Sequence, residues 1–213
     1  MRFKFSRIGL EVATPAPMPV ASLRLFVAVD LSNEVRDEIE KLSREVELAL
    51  HSRNIRWVPS DKFHLTLKFI GTTAPDLLEP ISKKIESITK DRTEFLMNVQ
   101  GMGVFPGPAR ARILWVGIEN REHQLSDVAG ALDRELVELG IAPEARPYVP
   151  HLTIAKFQNP AHVDRMIEPY LQRQMGTVSV DRLRLYQSRL EGKGSVYELL
   201  REFHFVPARR TRV

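Results

Sequence analysis

The chain has 213 residues, a length that fits one domain or two small lobes sharing a cleft. Hydrophobic residues make up 43% of it and cysteine is absent, which excludes general disorder, disulfides and thiol nucleophiles. The formal net charge of +4 comes from the ends, because residues 1–21 and the last five residues hold six of the 31 basic and one of the 27 acidic side chains. A nearly neutral body gives little support for nucleic-acid binding through overall charge.

Both ends of the chain are predicted to lie outside the folded domain. Residues 1–21 are interrupted by three prolines and a glutamate, so they predict a flexible extension and not a secretory signal. Residues 207–213 predict a basic tail, and residues 22–206 predict one two-lobed domain. No apolar run is long enough to cross a bilayer, so we expect a cytoplasmic protein with no membrane partner.

The first half of the chain alternates predicted strands and helices. An apolar run at 23–31 predicts a buried strand, and Ser32 is a suitable N-cap for a helix whose apolar residues repeat at helical spacing. Next along the chain come extended segments at 56–59 and 62–70, a helix at 76–88 and a strand at 94–104. A turn-rich FPGPA stretch follows the last of these.

The second half repeats this order. It predicts a strand at 113–118, a helix at 124–139 ended by Gly140, a strand at 151–157, a helix at 162–172, and strands at 177–190 and 195–205. Phe26 and Trp115 are 89 positions apart, and His64 and His151 are 87 apart. This near-constant offset predicts a duplicated α+β fold with two lobes, in which antiparallel sheets line a central cleft and helices lie outside.

Two His-x-Thr motifs lie at equivalent places in the duplication, as HLTL at 64–67 and HLTI at 151–154. Composition alone would give roughly a quarter of one such motif. Residues i and i+2 of a strand point to one face, so His64 and Thr66 share a face, as do His151 and Thr153. The intervening apolar residues predict the core side, and the pseudo-two-fold axis would bring both motifs to one groove.

Two histidines and two threonines in one groove suit metal-free cleavage of a phosphodiester. A neutral imidazole can take a proton from water while an imidazolium protonates the leaving oxygen, and hydroxyls can hold phosphoryl oxygens. A metal site would need a close cluster of His, Asp and Glu, which the sequence does not suggest. No P-loop pattern is present, so no ATP site is expected. The other four histidines, at 51, 123, 162 and 204, share no spacing and predict surface residues.

The paired motifs resemble those of the 2H phosphoesterase superfamily. Their flanks resemble the RNA 2′,3′-cyclic phosphodiesterases of bacteria and archaea, also called 2′-5′ RNA ligases. The resemblance covers about residues 23–206. Its stretches are RLFVAVD at 24–30, WV at 57–58, FHLTLKFIG at 63–71, GMGVFP at 101–106, RILWVG at 112–117, PHLTIAK at 150–156, and Ser188, Leu190 and Tyr197.

The resemblance implies hydrolysis of an RNA 2′,3′-cyclic phosphate to a 2′-phosphate, with no cofactor. It implies that His64 is the proton donor and His151 the proton acceptor. Some members of the family also join or cleave 2′-5′ RNA linkages without ATP. The expected substrate is RNA with a cyclic phosphate end or a cyclic nucleotide, acted on by a monomer.

Three further residues are candidates for substrate binding. The family usually carries arginine five residues after the second motif histidine, where this chain has Lys156. Strand alternation places Lys156 on the opposite face, so its reach to phosphate requires a bend or its long side chain. Lys68, four residues after His64, is expected on the same face and near phosphate. Phe105 could stack on a base or belong to the core.

Two alternatives remain open at the level of the sequence. One is a phosphodiesterase acting on small cyclic nucleotides. The other is a non-catalytic module that binds RNA or a nucleotide in the same cleft, although the intact motifs argue against it.

Overall fold

The computed structural model describes residues 22–192 and 194–208. The predicted extension at 1–21 and residues 209–213 of the predicted tail lie outside this part of the chain, so the domain limits stay a prediction. The helices and strands are β1 (Leu23–Asp30), α1 (Asn33–Leu50), β2 (Ile55–Trp57), β3 (His64–Thr73), α2 (Leu78–Lys90), β4 (Phe95–Phe105), β5 (Ala111–Glu119), α3 (Gln124–Val137), β6 (His151–Ala161), α4 (Asp164–Ile167), β7 (Gln174–Val180), β8 (Arg182–Glu191) and β9 (Gly194–His204).

The strands form two antiparallel sheets, which confirms the predicted α+β fold. The first sheet has the order β3-β1-β8-β9 and the second has the order β2-β6-β5-β4-β7. The order β3-β1-β8 in the first sheet matches the order β6-β5-β4 in the second, and these strands occupy corresponding places in the duplication. The halves exchange a strand, because β4 of the first half lies beside β5 and β8 of the second half lies beside β1. Each lobe is therefore built from both halves.

The helices cover the sides of the sheets that carry the apolar core. In α1, Ser32 caps the N-terminus by accepting the Val35 amide at 3.3 Å, as predicted. α1 contacts β7 of the second sheet, whereas α3 contacts β3 and α2 contacts β8 and β9 of the first sheet. Among the described residues, no helix is both long and apolar enough to span a membrane.

Two predicted elements near the C-terminus were wrong. The helix expected at 162–172 is limited to the four residues of α4 and a 3₁₀ turn at Glu168–Tyr170. Pro169 has no amide hydrogen and its ring opposes continuation of the helix. The strand expected at 177–190 is two strands, β7 and β8, which meet at Asp181 and belong to different sheets. Its continuous apolar alternation carried no signal of this change of sheet.

A buried lysine ties β3 to α3. The side chain of Lys68 is 2% exposed, and its Nζ lies 2.6 Å from Asp133 Oδ1 and donates to Ala142 O at 2.8 Å. Asp133 also accepts the Glu144 amide at 3.0 Å. Since Ala142 and Glu144 belong to the loop between α3 and β6, this ion pair holds that loop against the strand.

We expect Asp133→Ala to lower the free energy of unfolding by about 3 kcal/mol, because it removes the closer counter-ion of the buried Lys68 ammonium and leaves only Glu144 Oε1, 3.8 Å away. Urea denaturation measures the change. Glu135→Ala is the matched control on the same helix, since it removes a carboxylate that pairs with the more exposed Lys84. The control should cost much less than Asp133→Ala, because solvent screens an exposed ion pair. Equal losses in the two variants would contradict a special role for the buried pair.

Candidate active site

The first motif lies at the start of β3, on the side of the first sheet that faces away from the core. His64 pairs with Asp30 and Thr66 with Ala28 of β1. Both motif side chains are half-buried, whereas Leu65 is fully buried on the opposite side. The predicted alternation is confirmed here. We call the side of each sheet that carries the histidine and threonine its motif face.

The second motif has the same placement in the second sheet. His151 pairs with Gly117 and Thr153 with Trp115 of β5, and Leu152 is buried on the core side. β5 corresponds to β1 in the duplication, so each motif strand contacts the equivalent neighbour. The structure therefore places the two His-Thr pairs at equivalent positions in two related sheets.

Both imidazoles are oriented by the same local hydrogen bond. His64 Nδ1 lies 2.8 Å from Lys62 O, and His151 Nδ1 lies 2.7 Å from Val149 O. A carbonyl oxygen can only accept, so Nδ1 carries the proton in each ring. This leaves Nε2 of each neutral histidine as the nitrogen available for proton transfer.

The two motif strands are neighbours in space, since β3 and β6 contact each other across the lobes. The hydroxyl of Tyr148, three residues before His151, donates to Thr66 O at 3.3 Å. Burial raises the pKa of Tyr148, so the phenol stays protonated and able to donate. Tyr148 thereby links the approach to the second motif directly to the first.

Aromatic rings enclose His64. The ring of Phe26 lies 5.0 Å from the imidazole and tilted to it, and the ring of Tyr197 meets it edge-on at 5.1 Å. Tyr186 stacks on Phe26 at 5.3 Å. A pocket of about 90 Å³ opens beside these four residues. The sequence assigned no function to Phe26. Its predicted equivalence to Trp115 was wrong, because Trp115 pairs with Thr153 as Ala28 pairs with Thr66.

The surroundings of His64 disfavour its charged form. Burial lowers the pKa of His64 below its usual range, the hydrogen bond to Lys62 O opposes this shift, and the positive charge of Lys156 adds to it. Lys156 belongs to β6, so the second sheet supplies a positive charge near the first motif.

We expect the His64 imidazole to titrate below about 6.5, the usual value for histidine. Lys156→Gln should raise the pKa of His64, because removing a nearby positive charge favours the imidazolium. Proton NMR of the imidazole C2–H resonance gives both values. Lys41→Gln is the control, because Lys41 is exposed and pairs with Glu38 on α1. An unchanged His64 pKa in Lys156→Gln would place Lys156 too far away to act on the site.

His151 also lies against aromatic rings, from the second sheet. The ring of Phe105 meets the His151 imidazole edge-on at 5.0 Å, and Trp115 lies 6.3 Å from it. A β-carbon on Gly103 would fall 2.1 Å from the Trp115 ring, so only glycine leaves room for the indole there. The structure thus brings Phe105, a candidate from the sequence, to the second motif.

A β-bulge in β3 changes which side chains reach its motif face. The register with β1 shifts so that Thr66 pairs with Ala28 and Lys68 with the next residue, Val27. Phe69, and not Lys68, therefore returns to the motif face. The expectation that Lys68 lies on the side of His64 was wrong, because the extra residue turns its ammonium towards Asp133 on α3.

The equivalent bulge in β6 affects Lys156. Thr153 pairs with Trp115 but Ala155 pairs with Leu114, so one residue between them has no partner. Lys156 then pairs with Ile113 and lies exposed on the motif face. This bulge is the bend that brings Lys156 to the face of His151, where regular strand alternation would not place it.

The remaining histidines are exposed, as predicted, at 51, 123, 162 and 204. Within residues 22–192 and 194–208, no three His, Asp or Glu side chains come together as metal ligands would.

Comparison with known proteins identifies the family. The family described as "LigT like Phosphoesterase" matches twice, over residues 29–115 and 116–197, so each match contains one His-x-Thr motif. The chain belongs to this family, which confirms the resemblance seen in the sequence, and the double match agrees with the predicted duplication.

Individual relatives match over nearly their whole length. The RNA 2′,3′-cyclic phosphodiesterase of Methanothermobacter thermautotrophicus is 33% identical over 178 residues, which are 82% of this chain and 95% of the relative. The TT0787 protein of Thermus thermophilus is 27% identical in a crystal structure with a TM-score of 0.73, covering 86% of this chain and 98% of that one. Escherichia coli LigT complexed with 3′-AMP shares the fold at 24% identity and TM-score 0.73, over 87% and 99% of the chains.

Proposed function

We propose that this protein hydrolyses the 2′,3′-cyclic phosphate at RNA ends to a 2′-phosphate without a metal ion. The observation that carries the proposal is the equivalence of the two motifs. Each histidine is fixed through Nδ1 on a carbonyl two residues before it, and each is followed by a threonine on the same face. The names of relatives such as the Methanothermobacter RNA 2′,3′-cyclic phosphodiesterase support the choice of substrate.

In the proposed reaction, His151 Nε2 takes a proton from water as the water oxygen attacks phosphorus. The bond between phosphorus and the 3′ oxygen breaks, and His64 Nε2 donates its proton to that oxygen. The products are a 3′-hydroxyl and a 2′-phosphate, and proton exchange with solvent restores both histidines. The negative charge of the bound phosphate would favour the imidazolium of His64, against the effect of its burial.

The phosphate is held by Thr66, Thr153 and Lys156 in this proposal. Hydroxyl donors from the two sheets would bind the non-bridging oxygens, and the Lys156 ammonium would balance their charge. Lysine lacks the planar fork of arginine, so it supplies charge without bidentate geometry. Phe105, which lies against His151, would close the second-sheet side of the site.

The same two histidines could serve ATP-independent 2′-5′ ligation. A 5′-hydroxyl would take the place of water, and the cyclic phosphate would open onto it with no change in the number of phosphodiester bonds.

We also propose that the protein acts as a cytoplasmic monomer. Its composition lacks cysteine, and one chain supplies both His-x-Thr motifs.

The test is turnover of two substrates in the presence of EDTA: an RNA oligonucleotide ending in a 2′,3′-cyclic phosphate, and a 2′,3′-cyclic mononucleotide. Phosphorus NMR distinguishes a 2′-phosphate product from a 3′-phosphate. We expect hydrolysis of the oligonucleotide to the 2′-phosphate. Hydrolysis of the mononucleotide alone would indicate a small-molecule phosphodiesterase, and tight RNA binding without turnover would indicate a binding module. Loss of activity with EDTA would contradict the metal-free mechanism.

A further inference from the structure

We propose that Lys68 is a positioning residue for His151, acting through the loop at 138–150 that joins α3 to β6. The inference rests on the proposed function, because it concerns how the proposed proton acceptor is held. Lys68 is buried on the core side of β3, so it does not reach a phosphate bound on the motif face. A charged side chain is costly to bury, and its place in the core therefore requires specific partners.

The loop has little regular structure of its own on the approach to His151. Within the described part of the chain, its residues 142–149 belong to no helix or strand and make no backbone–backbone hydrogen bond. Most of these residues are exposed. A segment with few buried contacts and no backbone bonds opens at a low free energy. Its position must therefore come from side-chain contacts.

Lys68 anchors the start of this exposed segment. Its ammonium donates to Ala142 O at 2.8 Å and lies 2.6 Å from Asp133 Oδ1. Asp133 in turn accepts the amide of Glu144 at 3.0 Å. Because the lysine is buried, its hydrogen bonds are electrostatically stronger than the same contacts in water. One side chain of β3 thus fixes two backbone groups of the loop, one directly and one through Asp133.

A second anchor from β3 lies at the end of the same segment. The Tyr148 hydroxyl donates to Thr66 O at 3.3 Å. The next residue, Val149, supplies the carbonyl that accepts from His151 Nδ1 at 2.7 Å. The carbonyl that orients His151 is therefore held by contacts from the strand that carries the other motif, with Lys68 at one end of the segment and Thr66 at the other.

The first motif is held in a different way. Lys62 O, the partner of His64 Nδ1, lies at the end of a 3₁₀ turn at Ser60–Lys62, which is closed by its own backbone hydrogen bonds. Loss of Lys68 should therefore displace the carbonyl at His151 and leave the carbonyl at His64 in place. This makes His64 an internal reference for the effect.

The tautomer of His151 connects the anchor to the chemistry. A neutral imidazole carries its proton on either nitrogen, and only the form with the proton on Nδ1 leaves Nε2 free to accept another. The hydrogen bond from Nδ1 to Val149 O selects that form. When the loop loses its anchor, the ring gains access to the other tautomer and to other orientations. Fewer molecules then hold Nε2 ready to take the proton of the attacking water.

The test removes the anchor in two ways. Lys68→Met removes the ammonium, and the double variant Lys68→Met, Asp133→Leu replaces the whole ion pair with apolar side chains. Replacing a buried ion pair in this way often leaves stability unchanged, so the double variant separates positioning from folding. Lys84→Met is the matched control, because Lys84 pairs with Glu135 on the same helix and is more exposed. Urea denaturation verifies that each variant is folded.

Nitrogen-15 NMR of labelled histidines gives the tautomer of each imidazole without turnover, at a pH where the rings are neutral. We expect the His151 proton on Nδ1 in the wild-type protein and in Lys84→Met. In both variants that lack Lys68, a substantial fraction of His151 should carry the proton on Nε2, while His64 stays unchanged. An unchanged His151 tautomer, or equal changes at both histidines, would overturn the proposal.

Kinetics provide a second readout. We expect both variants that lack Lys68 to lower kcat on an RNA 2′,3′-cyclic phosphate roughly 10- to 100-fold, the scale of a small misplacement of a catalytic group, with little change in KM. In a His151→Ala background, Lys68→Met should cause no further loss, since the residue that it positions is absent. The same loss in that background would indicate a general structural effect and would contradict the positioning role.

The two readouts also separate this proposal from the proposed function. If the His151 tautomer changes as expected but the wild-type protein hydrolyses no cyclic phosphate, the proposed function is wrong and the positioning role is supported. If the wild-type protein hydrolyses the substrate and loss of Lys68 changes neither the tautomer nor kcat, the positioning role is wrong and the proposed function is supported.

Discussion

Replacing either motif histidine with alanine should lower kcat on an RNA 2′,3′-cyclic phosphate by about 10²–10⁴-fold. His64→Ala removes the proposed donor to the 3′ oxygen, and His151→Ala removes the proposed acceptor of the water proton. Each Nε2 serves one of two coupled proton transfers, so neither histidine can replace the other. Initial rates at saturating substrate measure the loss, and circular dichroism verifies that each variant is folded.

His162→Ala is the control for these substitutions, because His162 is exposed and lies against Asp164 outside both motifs. Its activity should equal that of the wild type. The double variant His64→Ala, His151→Ala should lose much less than the product of the two single losses, since the histidines act as a unit. A loss of less than about tenfold from either single variant would rule out acid–base catalysis by that residue.

Sulfur at the 3′ bridging position should restore most of the activity lost in His64→Ala and none of that lost in His151→Ala. A thiol has a pKa near 8.5, far below that of an alcohol, so a thiolate leaves without being protonated. The donor then becomes unnecessary, while water must still lose its proton to the acceptor. The measurement is the rate of each variant relative to the wild type on the oxygen and sulfur substrates.

The pattern of recovery decides the assignment of the two roles. The lowered pKa of the His64 imidazole opposes the donor role that the resemblance implies, so the donor form requires the negative charge of the bound phosphate. Recovery of His151→Ala alone would reverse the roles. Equal recovery of both variants would mean that the histidines affect leaving-group departure in some other way.

The placement of the motif residues could be predicted from local sequence, whereas that of their neighbours could not. His64 and Thr66 lie two residues apart before any irregularity, so strand alternation gives their shared face correctly. Lys68 lies beyond the bulge, where one extra residue reverses the alternation. The residues at the bulge carry no glycine or proline to mark it. The face on which Lys156 lies could not be predicted for the same reason, because a bulge also separates it from His151.

The exchange of strands between the lobes also could not be predicted from the sequence. Apolar alternation predicts β4 and places β8 within one longer predicted strand, but it does not identify the strands beside them. The pairing of Trp115 with Gly103 gives a physical reason for one choice, since the indole needs the space that glycine leaves. This steric fit between the indole and the glycine is apparent only once β4 and β5 are seen side by side.

The most direct test of the account is a crystal structure with a nucleoside 2′-phosphate bound, since this is the expected product. We predict one phosphate group within hydrogen-bonding distance of Nε2 of both His64 and His151, with the Thr66 and Thr153 hydroxyls on its oxygens. The Nδ1 atoms should keep their hydrogen bonds to Lys62 O and Val149 O. A phosphate that contacts one motif only, with the other imidazole out of reach even through a bridging water, would contradict a shared active site.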